Sequence, residues 1–204
     1  MKFNHAASWR PRLNAVRAGA FFTLALLLIP AFGPGQGRRA PAAASFKPTT
    51  VFLVRHADKD TTPPDNPPLN ELGRKRSQVL ARTLKEAGIK AIYTSQFLRT
   101  QQTAEPLATL LGVTPASIPL RMDVRDPRRV SDQSIRDIVD KIHAHAGDAA
   151  LVVGHSNTVP EVIRMLGGNV VPTIDERQFD DLFVVTVYEK GKAKVARLKY
   201  GLAD

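Results

Sequence analysis

The chain has 204 residues, enough for one α/β domain with a sizeable core. Its net charge of +10 falls unevenly: residues 1–44 hold six Lys/Arg and no Asp/Glu, leaving 23 basic against 19 acidic residues, a net of +4. That modest excess, with few aromatics, excludes nucleic acid as the expected partner. Zero cysteines exclude a disulfide framework and a lipidated-cysteine anchor.

The first 44 residues read as targeting signal and linker. Lys2, Arg10, Arg12 and Arg17 form a basic n-region, followed by an apolar stretch from Ala20 to Phe32 that is shorter than a membrane span of roughly 20 residues. Ala40-Pro41-Ala42 and Ala42-Ala43-Ala44 offer A-x-A-like cleavage sites. The alternative is an uncleaved N-terminal anchor, the one case in which membrane contact is expected. Export to a bacterial periplasm, or secretion, suits a cysteine-free chain with this leader. The rest, 45–204, is expected to be one domain.

Val51-Phe52-Leu53-Val54 is an uninterrupted apolar run that stops at Arg55, His56, Ala57 and Asp58. Such a run predicts a strand buried on both faces, over about 50–54. Asp58 to Pro68 is a proline-rich loop expected to overhang the strand end. Asn70 is expected to cap a helix over 71–87, ended by Gly88. A second strand follows at 90–94, then a helix from Phe97 to Leu111 closed by Gly112. A short strand at 117–122 leads to a charged loop, Arg121 to Asp132. Ile135, Ile138, Val139 and Ile142 keep helical spacing, which predicts a helix over 133–146. Ala150-Leu151-Val152-Val153 predicts another buried strand, over 149–153, running into Gly154-His155-Ser156-Asn157. A helix over 158–166 and a terminal hairpin, 183–188 and 194–198, complete the chain. Lys192, Lys194, Arg197 and Lys199 alternate along its last arm, where lysines guard an edge strand against pairing. Strands alternating with helices predict a three-layer α/β sandwich with a mostly parallel sheet.

In open α/β sheets ligands bind beyond the carboxyl ends of the strands. Two strands each delivering a histidine to that edge, and a third leading to Arg99, predict a site there. Leu-Val-Arg-His-Ala at 53–57, Thr-Ser-x-x-x-Arg-Thr-x-x-Thr-Ala at 94–104 and Val-Gly-His-Ser at 153–156 together resemble the signature of the histidine phosphatase superfamily. The resemblance runs from about residue 50 to about 190 and implies the phosphoglycerate-mutase-like fold. It also implies that His56 is the nucleophile and that Arg55, Arg99 and His155 complete a phosphate pocket.

The residue chemistry agrees. A neutral imidazole is a competent nucleophile near pH 7, and a phosphohistidine splits one hard step into two. Two arginine forks match the phosphoryl oxygens, so neither metal nor other cofactor is expected. Ala57 stands where many members of the family have glycine. The proton donor is less plain. One branch of the superfamily has Asp after its second histidine, where Ser156 stands here; the other takes an acid from a loop after the middle strand. Asp123 and Asp126 lie in such a loop and Asp58 lies beside the nucleophile. Asp126 is the preferred acid, and Asp58 is read as a substrate-binding residue.

Gly154-His155-Ser156-Asn157-Thr158 imitates an esterase nucleophile elbow but lacks the final glycine and any later histidine. His143 and His145 would point roughly 200° apart on a helix, a poor start for a metal site. The expected activity is that of a metal-independent phosphomonoesterase of the histidine acid phosphatase type. Its expected substrate is a small extracytoplasmic phosphorylated compound, an envelope phosphoglycan or a phosphoprotein. A phosphate-ligand binder on the same fold and a mutase-type phosphotransferase are the alternatives.

Overall fold

The computed structural model describes residues 47–169 and 172–201. The leader read over 1–44 lies outside the described residues. The elements are β1 (Thr49–Arg55), α1 (Glu71–Leu84), β2 (Ile89–Thr94), α2 (Leu98–Leu111), β3 (Ala116–Ser117), α3 (Asp132–His143), β4 (Ala149–Gly154), α4 (Thr158–Met165), β5 (Asp181–Glu189) and β6 (Lys192–Lys199). They form one six-stranded sheet in the order β3-β2-β4-β1-β5-β6. The first four of these strands run parallel, and β5 and β6 join antiparallel at one edge.

Alternation along the strands divides the core between the two faces. Val51, Leu53, Ala150 and Val152 pack with Ile135, Ile138, Val139 and Ile142 of α3 and with α4. Val54, Leu151 and Val153 face the other way, against Leu80 and Leu84 of α1 and Leu107 of α2. Both faces are covered, which is why β1 and β4 read as continuous apolar runs.

The helix ends follow local chemistry. Asn70 Oδ1 accepts from the Gly73 amide at 2.8 Å, capping α1. Gly112 takes a left-handed φ of 65° and closes α2. Ser131 caps α3 by accepting from the Ser134 amide.

Two expectations change. The strand expected over 117–122 is only Ala116–Ser117, because Pro119 cannot continue the ladder; the Ile118 amide makes one further bond to Thr94 O. The charged loop after it is a small hairpin, with Met122 bridged to Val130 and the Asp123 amide bound to Arg129 O. The proline-rich loop, closed by a Lys59–Leu69 bridge, leans on α2, where Asn66 Oδ1 accepts from the Leu98 amide.

Lys192, Arg197 and Lys199 of β6 have acidic partners. Arg197 forms a two-point ion pair with Asp181, and Lys199 reaches both Asp180 and Asp181. Asp181 is 2% exposed, and although burial works against its charge, these cations hold its carboxyl below the usual range.

Candidate active site

The strand order β2-β4-β1 sets three carboxyl ends side by side. Arg55 and Gly154 are register partners, so His56 and His155 leave neighbouring parallel strands at the same height. The His56 amide donates to Gly154 O at 2.9 Å, and the two imidazoles meet edge to face with ring centres 5.3 Å apart. Arg99 arrives from the first turn of α2, just after β2. Gly154 lets β4 turn tightly into α4, since a Cβ there would stand 2.7 Å from Thr158 Oγ1.

Hydrogen bonds fix both rings. His56 Nδ1 lies 2.8 Å from Ala57 O. A carbonyl only accepts, so Nδ1 carries the proton and the lone pair is on Nε2. His155 Nε2 lies 3.0 Å from Ser95 Oγ, which lies 2.9 Å from Thr100 Oγ1. Thr100 gives its proton to Phe97 O at 2.8 Å, so Ser95 donates to Thr100 and accepts from His155 Nε2–H. The Nδ1 of neutral His155 therefore holds that ring's lone pair. Thr103 joins the first two motifs: its hydroxyl donates to Arg99 O and accepts from the Ala57 amide.

Burial lowers the pKa of His56 to about 4; the Ala57 carbonyl opposes this, and Arg55, Arg99 and Lys59 add to it. Burial, then His56, Arg99 and Arg55, lower His155 to about 3. Both imidazoles are neutral at pH 7.

The guanidiniums rest on aromatic rings, Arg55 over Phe179 and Arg99 over Phe97, each 4.3 Å from the ring centre. Arg55 is 3% exposed. Its Nη1 donates to Asp175 O and Gln178 O, and its Nη2 to Glu176 Oε2 at 2.9 Å. The Nε–H groups of Arg55 and Arg99 are buried without a partner. Burial, and for Arg99 also the charge of Arg55, lowers the pKa of both. An orphaned buried donor is costly, and two at one cleft mark a place for an anion.

The cleft brings together Arg55, His56, Arg99 and His155, with Lys59 at its rim and Leu120, Met122 and Val130 along one wall. Asp58 is elsewhere: its carboxylate accepts from Arg76 Nε at 2.7 Å and its carbonyl from the Asn70 amide, so it fastens α1. Asp126 turns back on its own loop, accepting from the Arg128 amide and Nε. Asp123 does the same with the Arg125 amide. Among the described residues, Glu176 is the one carboxylate lining the cleft, and its Oε1 accepts from Ser156 Oγ at 2.8 Å. Sequence reading missed it, because it lies in an irregular stretch 121 positions after Arg55 with no motif around it. Ser95 and Thr103 lay inside the quoted motif but had no assigned role. Ser156 bonds a carboxylate and not a histidine, so no esterase triad forms around it. Among the described residues, no cluster of three or more His, Asp or Glu side chains is placed to hold a metal.

The architecture and this cleft define a phosphoglycerate-mutase-like α/β protein. Residues 51–125 match the family model of the histidine phosphatase superfamily (branch 1), the family that the three motifs resemble. The protein histidine phosphatase SixA, solved with tungstate, superposes with a TM-score of 0.57 at 22% identity, over 74% of this chain and 96% of that one. A phosphoglycerate mutase from Bacillus anthracis gives a TM-score of 0.59 at 16% identity, over 76% and 94%. A mycobacterial glucosyl-3-phosphoglycerate phosphatase gives 0.55 at 13% identity, over 76% and 100%. These similarities show the fold. In sequence, a PE-PGRS family protein of Mycobacterium tuberculosis, PE_PGRS11, is 48% identical over 78 residues, which cover 34% of this chain and 13% of that protein's length.

Proposed function

We propose that this chain is a phosphatase that works through a phosphohistidine on His56 without a metal ion. The observation that carries the reading is the pair of buried, unpartnered Nε–H donors of Arg55 and Arg99, beside a neutral imidazole whose free lone pair is on Nε2. In the first step Nε2 of His56 bonds to phosphorus and the bond from phosphorus to the leaving group breaks. In the second, a water oxygen bonds to phosphorus, the N–P bond breaks and inorganic phosphate is released. Arg55 and Arg99 carry the charge on the equatorial oxygens; removing one such donor typically costs on the order of a hundredfold in rate.

The scarcity of acids narrows the substrate. Glu176, the one carboxylate lining the cleft among the described residues, is held by Arg55 and Ser156. Leaving groups that depart without a strong acid are therefore favoured: aryl oxygens, and the ring nitrogen of a phosphohistidine, which takes its proton readily from water. The likeness to SixA, described as a protein histidine phosphatase, supports the second. The apolar wall beside the cationic floor suits the side of a folded phosphoprotein better than a bare sugar phosphate. A mutase is the alternative within the fold, since this chain also spans 94% of the Bacillus anthracis phosphoglycerate mutase. The basic, then apolar leader supports an extracytoplasmic location.

The test is hydrolysis of p-nitrophenyl phosphate and of a phosphohistidine-bearing protein in EDTA, with His56→Ala as the control. EDTA-resistant turnover lost in His56→Ala, with acid-labile phosphate trapped on the wild-type chain, supports the reading. Wild-type activity no higher than that of His56→Ala on either substrate overturns the reading and leaves a narrow-substrate enzyme, a mutase or a phosphate-ligand binder.

A further inference from the structure

The guanidinium of Arg55 divides its work between two edges. Nη1 is committed to the main chain, to Asp175 O at 2.8 Å and Gln178 O at 3.3 Å. Nε and Nη2 form the side-on fork that grips an oxyanion at two points. On that fork Nε is buried and unpartnered, while Nη2 is taken by Glu176 Oε2 at 2.9 Å. Glu176 takes one of the two N–H groups of Nη2, so a phosphoryl group that closes the fork brings its oxygens against that carboxylate and competes with it for Arg55. The carboxylate is free to move: its side chain is 80% exposed against 4% for that of Arg55, and among the described residues only the Ser156 hydroxyl holds its other oxygen.

We propose that Glu176 is a displaceable counter-ion of Arg55, which competes with the phosphoryl group for the fork and returns to it as inorganic phosphate leaves. The inference rests on the phosphatase reading of the same cleft. An arginine this buried faces the next phosphate permanently if nothing else neutralises it, and a cleft with Arg55, Arg99 and Lys59 holds its product tightly. Glu176 offsets part of that attraction. The substrate and the product meet the same competitor, so the carboxylate lowers affinity for both and speeds release. Displacing it also frees the Ser156 hydroxyl to donate to the bound anion.

The experiment measures inorganic phosphate on the full chain, by calorimetry and as a competitive inhibitor of p-nitrophenyl phosphate hydrolysis, for wild type, Glu176→Gln and Glu176→Ala. An exposed carboxylate is worth a modest factor, so both variants should bind phosphate roughly three- to tenfold more tightly, with KM lowered in the same proportion. Structural damage or a role in holding substrate would weaken binding, and so would overturn the proposal. Unchanged phosphate affinity would overturn it too, even if turnover of alkyl phosphates fell, since that pattern describes a proton donor. The two readings fail separately: loss of wild-type turnover speaks against the phosphatase, whereas the change in phosphate affinity is read by calorimetry whether or not the chain turns over.

Discussion

Ser95 Oγ stands 3.0 Å from His155 Nε2 and, by passing its own proton to Thr100, fixes the tautomer of that imidazole. The ring then meets the cleft with a defined edge. Ser95→Ala removes this acceptor from a site only 3% exposed. We expect kcat on p-nitrophenyl phosphate to fall about tenfold through a misoriented imidazole. Ser95→Thr, which keeps a hydroxyl, should recover part of the loss. Equal losses in both variants would show that packing matters here and the hydrogen bond does not.

Thr103 links the strand end that carries the nucleophile to the helix that carries Arg99. Its hydroxyl is fully buried and serves the Ala57 amide at 2.9 Å. Thr103→Val keeps the shape and orphans that amide, at a cost of about 1–3 kcal/mol. Urea unfolding should report this as a lower midpoint with an unchanged m-value, alongside a loss of activity.

The two histidines make stability depend on pH. Their folded pKa values, about 4 and about 3, lie below the ordinary 6.5. As pH falls below 6.5 the unfolded chain takes up protons that the folded chain refuses, so stability is full above 6.5 and declines as pH approaches 4. For His56 alone the loss by pH 4 is about 3 kcal/mol. Unfolding midpoints measured between pH 7.5 and 4.5 should fall in the wild type and fall about half as far in His155→Gln, where His56 still refuses its proton. A wild-type profile that stays level would contradict the neutral, buried pair.

The Asp58 carboxylate and Arg76 form an ion pair with both side chains about one-eighth exposed. Breaking a pair this buried leaves an uncompensated charge, so Arg76→Ala should cost a few kcal/mol and Asp58→Asn somewhat less. Thermal unfolding checks both. If Asp58 instead touched substrate, Asp58→Asn would raise KM more than it lowered Tm.

Asp126 holds its own hairpin through Arg128. Asp126→Asn should therefore leave hydrolysis of both aryl and alkyl phosphates within about twofold of wild type, the range expected of a solvated loop carboxylate. A selective loss on alkyl phosphates would return the acid role to it.

The sequence alone determined the sheet and the strand ends that frame the cleft. Val51, Leu53, Val54 and Ala150 to Val153 are buried and Phe52 partly so, and a run covered on both faces has few structures open to it. The caps at Asn70 and Ser131 and the turn at Gly112 were equally local, each set by a side chain within three residues or by a backbone angle. The positions of Arg55, His56 and His155 at the strand ends were legible because they close or follow the apolar runs of β1 and β4, and that of Arg99 because α2 opens soon after β2.

What only the tertiary structure decided is which carboxylate reaches the arginines. Asp58 and Asp126 are near the cleft along the chain, but other partners hold them, Arg76 of α1 beyond the proline-rich loop and Arg128 two residues on. Glu176 arrives from the segment before β5, because Arg55 pulls that segment's carbonyls and carboxylate onto itself. Long-range hydrogen bonds of this kind leave no period or spacing in the sequence. They arise only once β5 has paired beside β1 and the loop before it must cross the ends of the strands.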